Sequence, residues 1–380
     1  MINIKTAQTD IPEGVIDLGV GQPSLSLLPV DAMKQAAAHR LGKNDSSLLL
    51  QYGAVQGDGY FRIELAKFLS EKYDMPVEPD HLFITCGASQ GLDLICNLFT
   101  NPGDTVFVEE PTYFLALRIF ADYRLNIIGL PVDENGLIIE ALEEMLIKHK
   151  PAFLYTIPVF QNPSGVTLSP ERRKQLVSLG RKDNFFIIAD EVYHLLSYTD
   201  APPQPMTCYD EAGTVFSIGS FSKIMAPGLR LGWLHAKPSM FSQLKKRGML
   251  DSGGGLNPLT SGLVRSAIEL GLLDNHLDHL KKVYQQRMSV LSTALRRHMP
   301  DCIDFTEPAG GFFIWAELPE EYDAMSLLSK AKQHDTGFQP GIRFSSQEGM
   351  KNYVRLSFSY FEESEIEQGI IRLALALNSM

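Results

Sequence analysis

The rhythm of the chain between residues 80 and 236 constrains the fold most, because short apolar runs there alternate with helix-patterned stretches. Runs at 81–85, 105–109, 126–132, 153–157, 185–189, 214–218 and 230–236 have the length of strands. Stretches at 90–99, 112–123, 137–149 and 170–182 have the length of helices. Ser169-Pro170 opens the last of these with a cap residue and a proline at the first helical position. Strands joined through helices run parallel and need cover on both faces. The pattern therefore predicts an α/β architecture, a mostly parallel seven-stranded sheet between helices. After Gly253-Gly254-Gly255 it changes to a long charged helix over 273–298, followed by strands at 311–318 and 353–358. These predict a smaller α+β domain. The opening segment, with Pro23 and Pro29, has little periodicity and is expected to pack on the small domain as an arm. The expected organisation is an arm and part of the small domain over 1–45, a large domain over 46–272 and a C-terminal small domain over 273–380.

Charge and cysteine usage narrow the function. A net charge of −11 over 380 residues disfavours partners that present phosphate backbones or anionic membrane surfaces, so a small-molecule substrate is expected, with no nucleic acid and no membrane. Cys86, Cys96, Cys208 and Cys302 form no CxxC pair, and the N-terminus lacks a basic segment followed by an apolar one. No apolar run approaches the ~20 residues of a membrane span. These features predict a reduced, cytoplasmic protein.

The chemistry-bearing residues fall at the ends of the expected strands, where open α/β sheets bind ligands. Lys223, in Ser220-Phe221-Ser222-Lys223, follows an apolar strand and is an amine nucleophile wherever its pKa is depressed. Alone it is a loop lysine, and Ser220-x-x-Lys223 also matches the SxxK signature of serine hydrolases. The S-D-N and K-T-G companions of that signature are absent from the sequence. Asp190 ends another apolar strand, three residues before Tyr193; it either caps the next helix or pairs with a buried cation such as a protonated pyridine nitrogen. The small-residue turn Gly87-Ala88-Ser89-Gln90 offers backbone N–H groups to a phosphate at a helix N-terminus, or is an ordinary tight loop. Arg230 with the Ser220 and Ser222 hydroxyls would complete a dianion pocket. Asn162-Pro163 and Ser164-Gly165 mark a turn. His276 and His279 have metal-ligand spacing without a third ligand cluster, so no metal is expected and solvent-facing positions are.

An ordered set of motifs runs along nearly the whole chain. It comprises Gln51-Tyr52-Gly53, the turn over 85–90, Asn101-Pro102-Gly103-Asp104, Glu110-Pro111-Thr112-Tyr113, Asn162-Pro163-x-Gly165, Asp190-x-x-Tyr193, Ser220-x-Ser222-Lys223, Arg230-Leu231-Gly232 and Gly310-Gly311-Phe312-Phe313. In this the chain resembles the fold-type I, class I/II aminotransferases that use pyridoxal 5'-phosphate, in the kynurenine/α-aminoadipate branch. The resemblance implies a Schiff base on Lys223, which also moves the substrate Cα proton, and an Asp190 partner for the pyridine nitrogen. It implies ring contacts from Asn162, Tyr193 and Tyr113, and phosphate contacts from Ala88, Ser89, Gln90, Ser220, Ser222 and Arg230. Tyr52 would reach in from the second subunit of a homodimer with shared active sites, and Gly21, Asn162 and Arg355 would hold the substrate. The implied activity is ping-pong transfer of an amino group between an L-amino acid and a 2-oxo acid. A lyase or decarboxylase of the same fold, or a non-catalytic sensor, would share most of these residues. There are two departures: Phe61 stands where leucine is usual in the Gly-x-x-x-Leu-Arg helix, a conservative change, and, towards the substrate side chain, Gln339 replaces a small apolar residue, with Arg343 nearby. Residues 24–30 carry no arginine, which favours an aromatic or aliphatic donor.

Overall fold

A computed structural model describes residues 9–44, 46–199, 201–253, 256–300 and 303–380. Cys302, Gly254 and Gly255 lie outside the described residues, as does the extreme N-terminus. The centre of the molecule is an eight-stranded sheet. Its order is Leu82–Thr85, Gly232–His235, Val215–Ser220, Phe186–Asp190, Pro151–Thr156, Thr105–Glu110, Asn126–Asp133 and Gly136–Leu137. The five strands from Val215–Ser220 to Asn126–Asp133 pair parallel, and Gly232–His235 is antiparallel to both its neighbours. All seven expected strands are present. The eighth is a two-residue strand that doubles back on Asn126–Asp133, with Gly136 at φ +91° making the turn, so the following helix begins at Ile139 and not at 137. Arg230 is not a strand residue as expected. It sits at φ +45° after the 3-10 turn Pro227–Leu229, and the strand starts at Gly232.

The strand runs are apolar on both faces because helices cover both. Phe107, Leu154, Ile187 and Val215 face one buried cluster, while Val106, Val108, Phe153, Tyr155, Ile188 and Phe216 face the other. Chain order reverses between Thr105–Glu110 and Pro151–Thr156: one crossover from the former leads outward to Asn126–Asp133, and the chain then returns to its other side. Such a switch opens a crevice beyond the carboxyl ends of the strands.

A four-stranded antiparallel sheet is ordered Asp304–Phe305, Phe313–Glu317, Tyr353–Ser357 and Gln339–Pro340, and in the same region the long helix Leu272–His298 packs on the C-terminal helix Glu363–Asn378. The N-terminal segment joins this region: Ile16–Asp17 pairs parallel with Thr336–Gly337, and the Ser357 N–H donates to the Leu18 carbonyl. The same segment contains a helix, Val30–Leu41, that its weak periodicity hid. It packs on Pro258–Glu269 through buried Arg40, which donates to the Gly262 carbonyl at 3.1 Å and to Glu269 at 2.6 Å. His279 is exposed as expected, whereas His276 is half-buried; burial, then His279, lowers its pKa to about 4.

Candidate active site

The crevice at the switch point gathers most of the singled-out residues. Asp190, at the end of its strand and 8% exposed, accepts a hydrogen bond on Oδ2 from Tyr155 OH at 2.8 Å. Its Oδ1 is buried with no partner among the described residues. Burial raises the carboxyl pKa to about 6, against the opposing effects of Tyr155, the Val192 N–H and the Lys223 charge. A buried acceptor left open in this way fits a ligand N–H, and most strongly a cationic one.

Lys223 lies on the single helical turn Phe221–Ile224, directly after the strand Val215–Ser220. Its Nζ donates to the Gly21 carbonyl at 3.2 Å and stands 5.5 Å from the Phe312 ring centroid and 5.9 Å from that of Tyr193. Burial, followed by repulsion from Arg355 and opposed by Asp190, lowers the amine to about 8. About a tenth of the amine is therefore neutral and nucleophilic at pH 7, far more than for an ordinary lysine.

Two further clusters flank this pair. On one side, the helix Ala88–Phe99 begins after Gly87, at φ +86°. Its first internal backbone bond is the Gly91 N–H to the Gly87 carbonyl, leaving the preceding amides directed outward at the helix start. Arg230 bends over this turn and donates to the Cys86 carbonyl at 3.1 Å; a Cβ on Gly87 would come within 2.9 Å of its guanidinium. Ser220 accepts from the Ser222 N–H at 3.2 Å, so both hydroxyls sit at the next loop. The Gln90 side chain folds back to accept from the Cys86 N–H at 3.1 Å, so its backbone and not its carboxamide oxygen faces the turn. A cradle of free amides, a guanidinium and hydroxyls fits a phosphate dianion.

On the other side Arg355, only 3% exposed, donates to Asn162 Oδ1 at 2.8 Å and to the Gly19 carbonyl at 2.9 Å. Its guanidinium lies 3.9 Å from the Phe313 ring centroid and 5.0 Å from that of Phe344. Burial lowers its pKa to about 10, so it stays charged, and no carboxylate among the described residues pairs with it. Gly21 bridges the clusters: a Cβ there would strike the Phe313 ring at 2.8 Å and lie 3.5 Å from Arg355 Nη2. Tyr113 is half-buried between them, its hydroxyl pushed up to about 12 by burial and then by Asp190. Tyr193 is buried, and burial likewise drives its phenol upward.

Tyr52 does not join its own chain's site; it is 80% exposed. Conversely, sequence reasoning missed Tyr155, whose only signal is a hydroxyl in an otherwise apolar strand, and Glu109, which is fully buried at the switch. It also gave no role to Phe312, Phe313 and Phe344. Gln339, flagged as a departure, holds the Gly19 carbonyl at 3.4 Å and accepts from Arg343 at 2.6 Å.

Comparison with known proteins identifies the family. The family model "Aminotransferase class I and II" matches residues 13–373. An aromatic-amino-acid aminotransferase of Thermococcus litoralis is 37% identical over 95% of this chain and 87% of its own length. A 2-aminoadipate transaminase of Thermus thermophilus is 31% identical over 97% and 91%. Among solved structures, a kynurenine aminotransferase of Pyrococcus horikoshii in complex with PMP superposes with a TM-score of 0.90 at 34% identity, covering 96% of this chain and 91% of its own.

Proposed function

Since the chain belongs to the class I and II aminotransferases, and is a pyridoxal-5'-phosphate-dependent transaminase acting between amino acids and 2-oxo acids, we propose that Lys223, Asp190 and Arg355 carry its chemistry. The observation that carries the reading is the unpartnered Asp190 Oδ1 buried beside the depressed Lys223 amine. When bound, the cofactor supplies the electron sink that makes the substrate Cα–H acidic. Asp190, oriented by Tyr155, accepts from the pyridine nitrogen and keeps it cationic. Ala88, Ser89, Gln90, Ser220, Ser222 and Arg230 hold the phosphate, and Tyr113, Asn162 and Tyr193 hold the ring. Arg355 takes the substrate α-carboxylate, with Asn162 and Gly21 fixing its orientation. This places Cα near Lys223 Nζ, which removes the proton there as a base and returns it as an acid. Phe312 and Tyr193 pack beside the amine and exclude water.

The Phe313 and Phe344 rings beside Arg355, and the absence of arginine over 24–30, favour an aromatic or aliphatic donor. We further propose a cytoplasmic homodimer serving amino acid biosynthesis, in which Tyr52 completes the partner's phosphate site. Leu48, Leu50 and Tyr52, 67%, 76% and 80% exposed, support burial of that segment in a subunit interface. The test is spectroscopic. The purified holoenzyme should carry a pH-sensitive visible band that Lys223→Ala removes and that an amino acid donor bleaches with release of its 2-oxo acid. An unchanged spectrum in Lys223→Ala would overturn the assignment, and a large preference for glutamate or 2-aminoadipate across a donor panel would overturn the choice of donor.

A further inference from the structure

Glu109 is the penultimate residue of the strand Thr105–Glu110, on the flank where chain order reverses, next to Pro151–Thr156, and is fully buried. A carboxylate in such a place is costly unless its oxygens are occupied. Glu109 accepts from the Thr156 hydroxyl, from the Ile157 N–H at 3.0 Å and from Gln161 Nε2 at 3.1 Å. Gln161 in turn donates to the Pro111 carbonyl at 2.6 Å and accepts from the Ser164 N–H at 2.9 Å and the Ser164 hydroxyl at 2.7 Å. Both amide hydrogens and both carbonyl lone pairs of Gln161 are thereby used, the full capacity of that side chain, so its position is fixed in every direction.

The two loops it joins are the ones that bear on ligand. Pro111 lies two residues before Tyr113, and Gln161 is the immediate neighbour of Asn162, whose Oδ1 takes the Arg355 guanidinium. We propose that Glu109, acting through Gln161, is a positioning residue that sets Asn162, and with it Arg355, for the substrate α-carboxylate while holding Tyr113 at the ring. Neither Glu109 nor Gln161 touches substrate. The inference rests on the proposed role of Arg355 as the carboxylate clamp.

The test compares half-saturation for a neutral amino acid donor, read from bleaching of the visible band, in Glu109→Leu, Gln161→Met, Glu109→Gln and, as a reference, Arg355→Lys. Glu109→Leu removes the acceptor. Gln161→Met leaves the carboxylate with its other two donors, so it reports even where the leucine variant fails to fold. Glu109→Gln keeps one oxygen for Ile157 and Gln161 and turns its NH2 to the Thr156 hydroxyl. The expected result is a rise of about 10-fold or more in half-saturation for Gln161→Met and Glu109→Leu, the scale on which small misplacements act, a smaller change in the maximal rate, and restoration in Glu109→Gln. A purely structural role would lower the folded, cofactor-loaded fraction while half-saturation stayed native, and that result overturns the proposal. If Arg355→Lys also leaves half-saturation native, the clamp reading itself fails; if only Arg355→Lys raises it, the positioning role alone fails.

Discussion

Replacing Asp190 with asparagine should stabilise the cofactor-free protein while weakening its hold on the cofactor. The carboxyl is buried, one oxygen lacks a partner, and its pKa stands at about 6 against an ordinary 3.8. That difference corresponds to a penalty of about 3 kcal/mol on the ionised form in the folded state. The sign follows from proton uptake. Above pH 6 the carboxylate is ionised both folded and unfolded, and the penalty is carried in full. Between 6 and 3.8 the folded chain binds a proton that the unfolded chain does not, and the penalty is progressively relieved. Asparagine keeps an oxygen for Tyr155 and never ionises. Urea unfolding of apo Asp190→Asn should therefore show a gain of up to ~3 kcal/mol over the native chain at pH 7.5 and roughly half of that at pH 5. Added cofactor should reverse the order, because binding to the folded state stabilises by mass action and the native carboxylate binds it better. A gain that is absent, or that does not change between pH 5 and 7.5, would refute the argument, as would equal stabilisation of both proteins by cofactor.

Other perturbations test the neighbouring clusters. The rate at which the apoprotein captures cofactor, followed as growth of the visible band, should rise with pH through about 8, because only the neutral Lys223 amine attacks and burial brings its pKa there; a flat profile between pH 6.5 and 9 contradicts this. Gly87→Ala should weaken cofactor binding by ~1–3 kcal/mol, since its φ of +86° strains any side chain and the new methyl meets the Arg230 guanidinium at 2.9 Å; equilibrium dialysis reads the loss, and native affinity would show that the cradle lies elsewhere. Arg173, fully buried, donates to the Leu168, Gln204 and Pro158 carbonyls and faces Glu191 at 3.8 Å. Arg173→Leu should cost about 3–5 kcal/mol by leaving Glu191 buried without its cation; a loss under 1 kcal/mol in urea would show that Glu191 takes up a proton instead.

What the sequence made legible depended on whether a property is local. The strand at 214–218 is visible because Val215, Phe216 and Ile218 crowd a short run ahead of a polar loop, and Lys223 follows it whatever the rest of the fold does. Helix Val30–Leu41 was not visible, because its buried face consists of Ala36 and Arg40, and an arginine reads as solvent-facing until Glu269 and the Gly262 carbonyl are seen beside it. Glu109 and Glu110 pose the same problem at higher stakes. Strand alternation puts adjacent side chains on opposite faces, but nothing in Val108-Glu109-Glu110-Pro111 states which face is interior. The answer lies elsewhere in the chain: Gln161, Thr156 and Ile157 converge on Glu109, whereas Ser346 takes Glu110. Tyr155 became a site residue in the same way, by the parallel register that sets Tyr155 opposite Ile188 and Thr156 opposite Ala189, bringing its hydroxyl to Asp190. Ordered motifs thus located the groups proposed to meet ligand, since each sits at a strand end or turn with its own local signature. The groups that orient them are buried polar residues in apolar runs, and their meaning is fixed only by pairing partners tens of residues away.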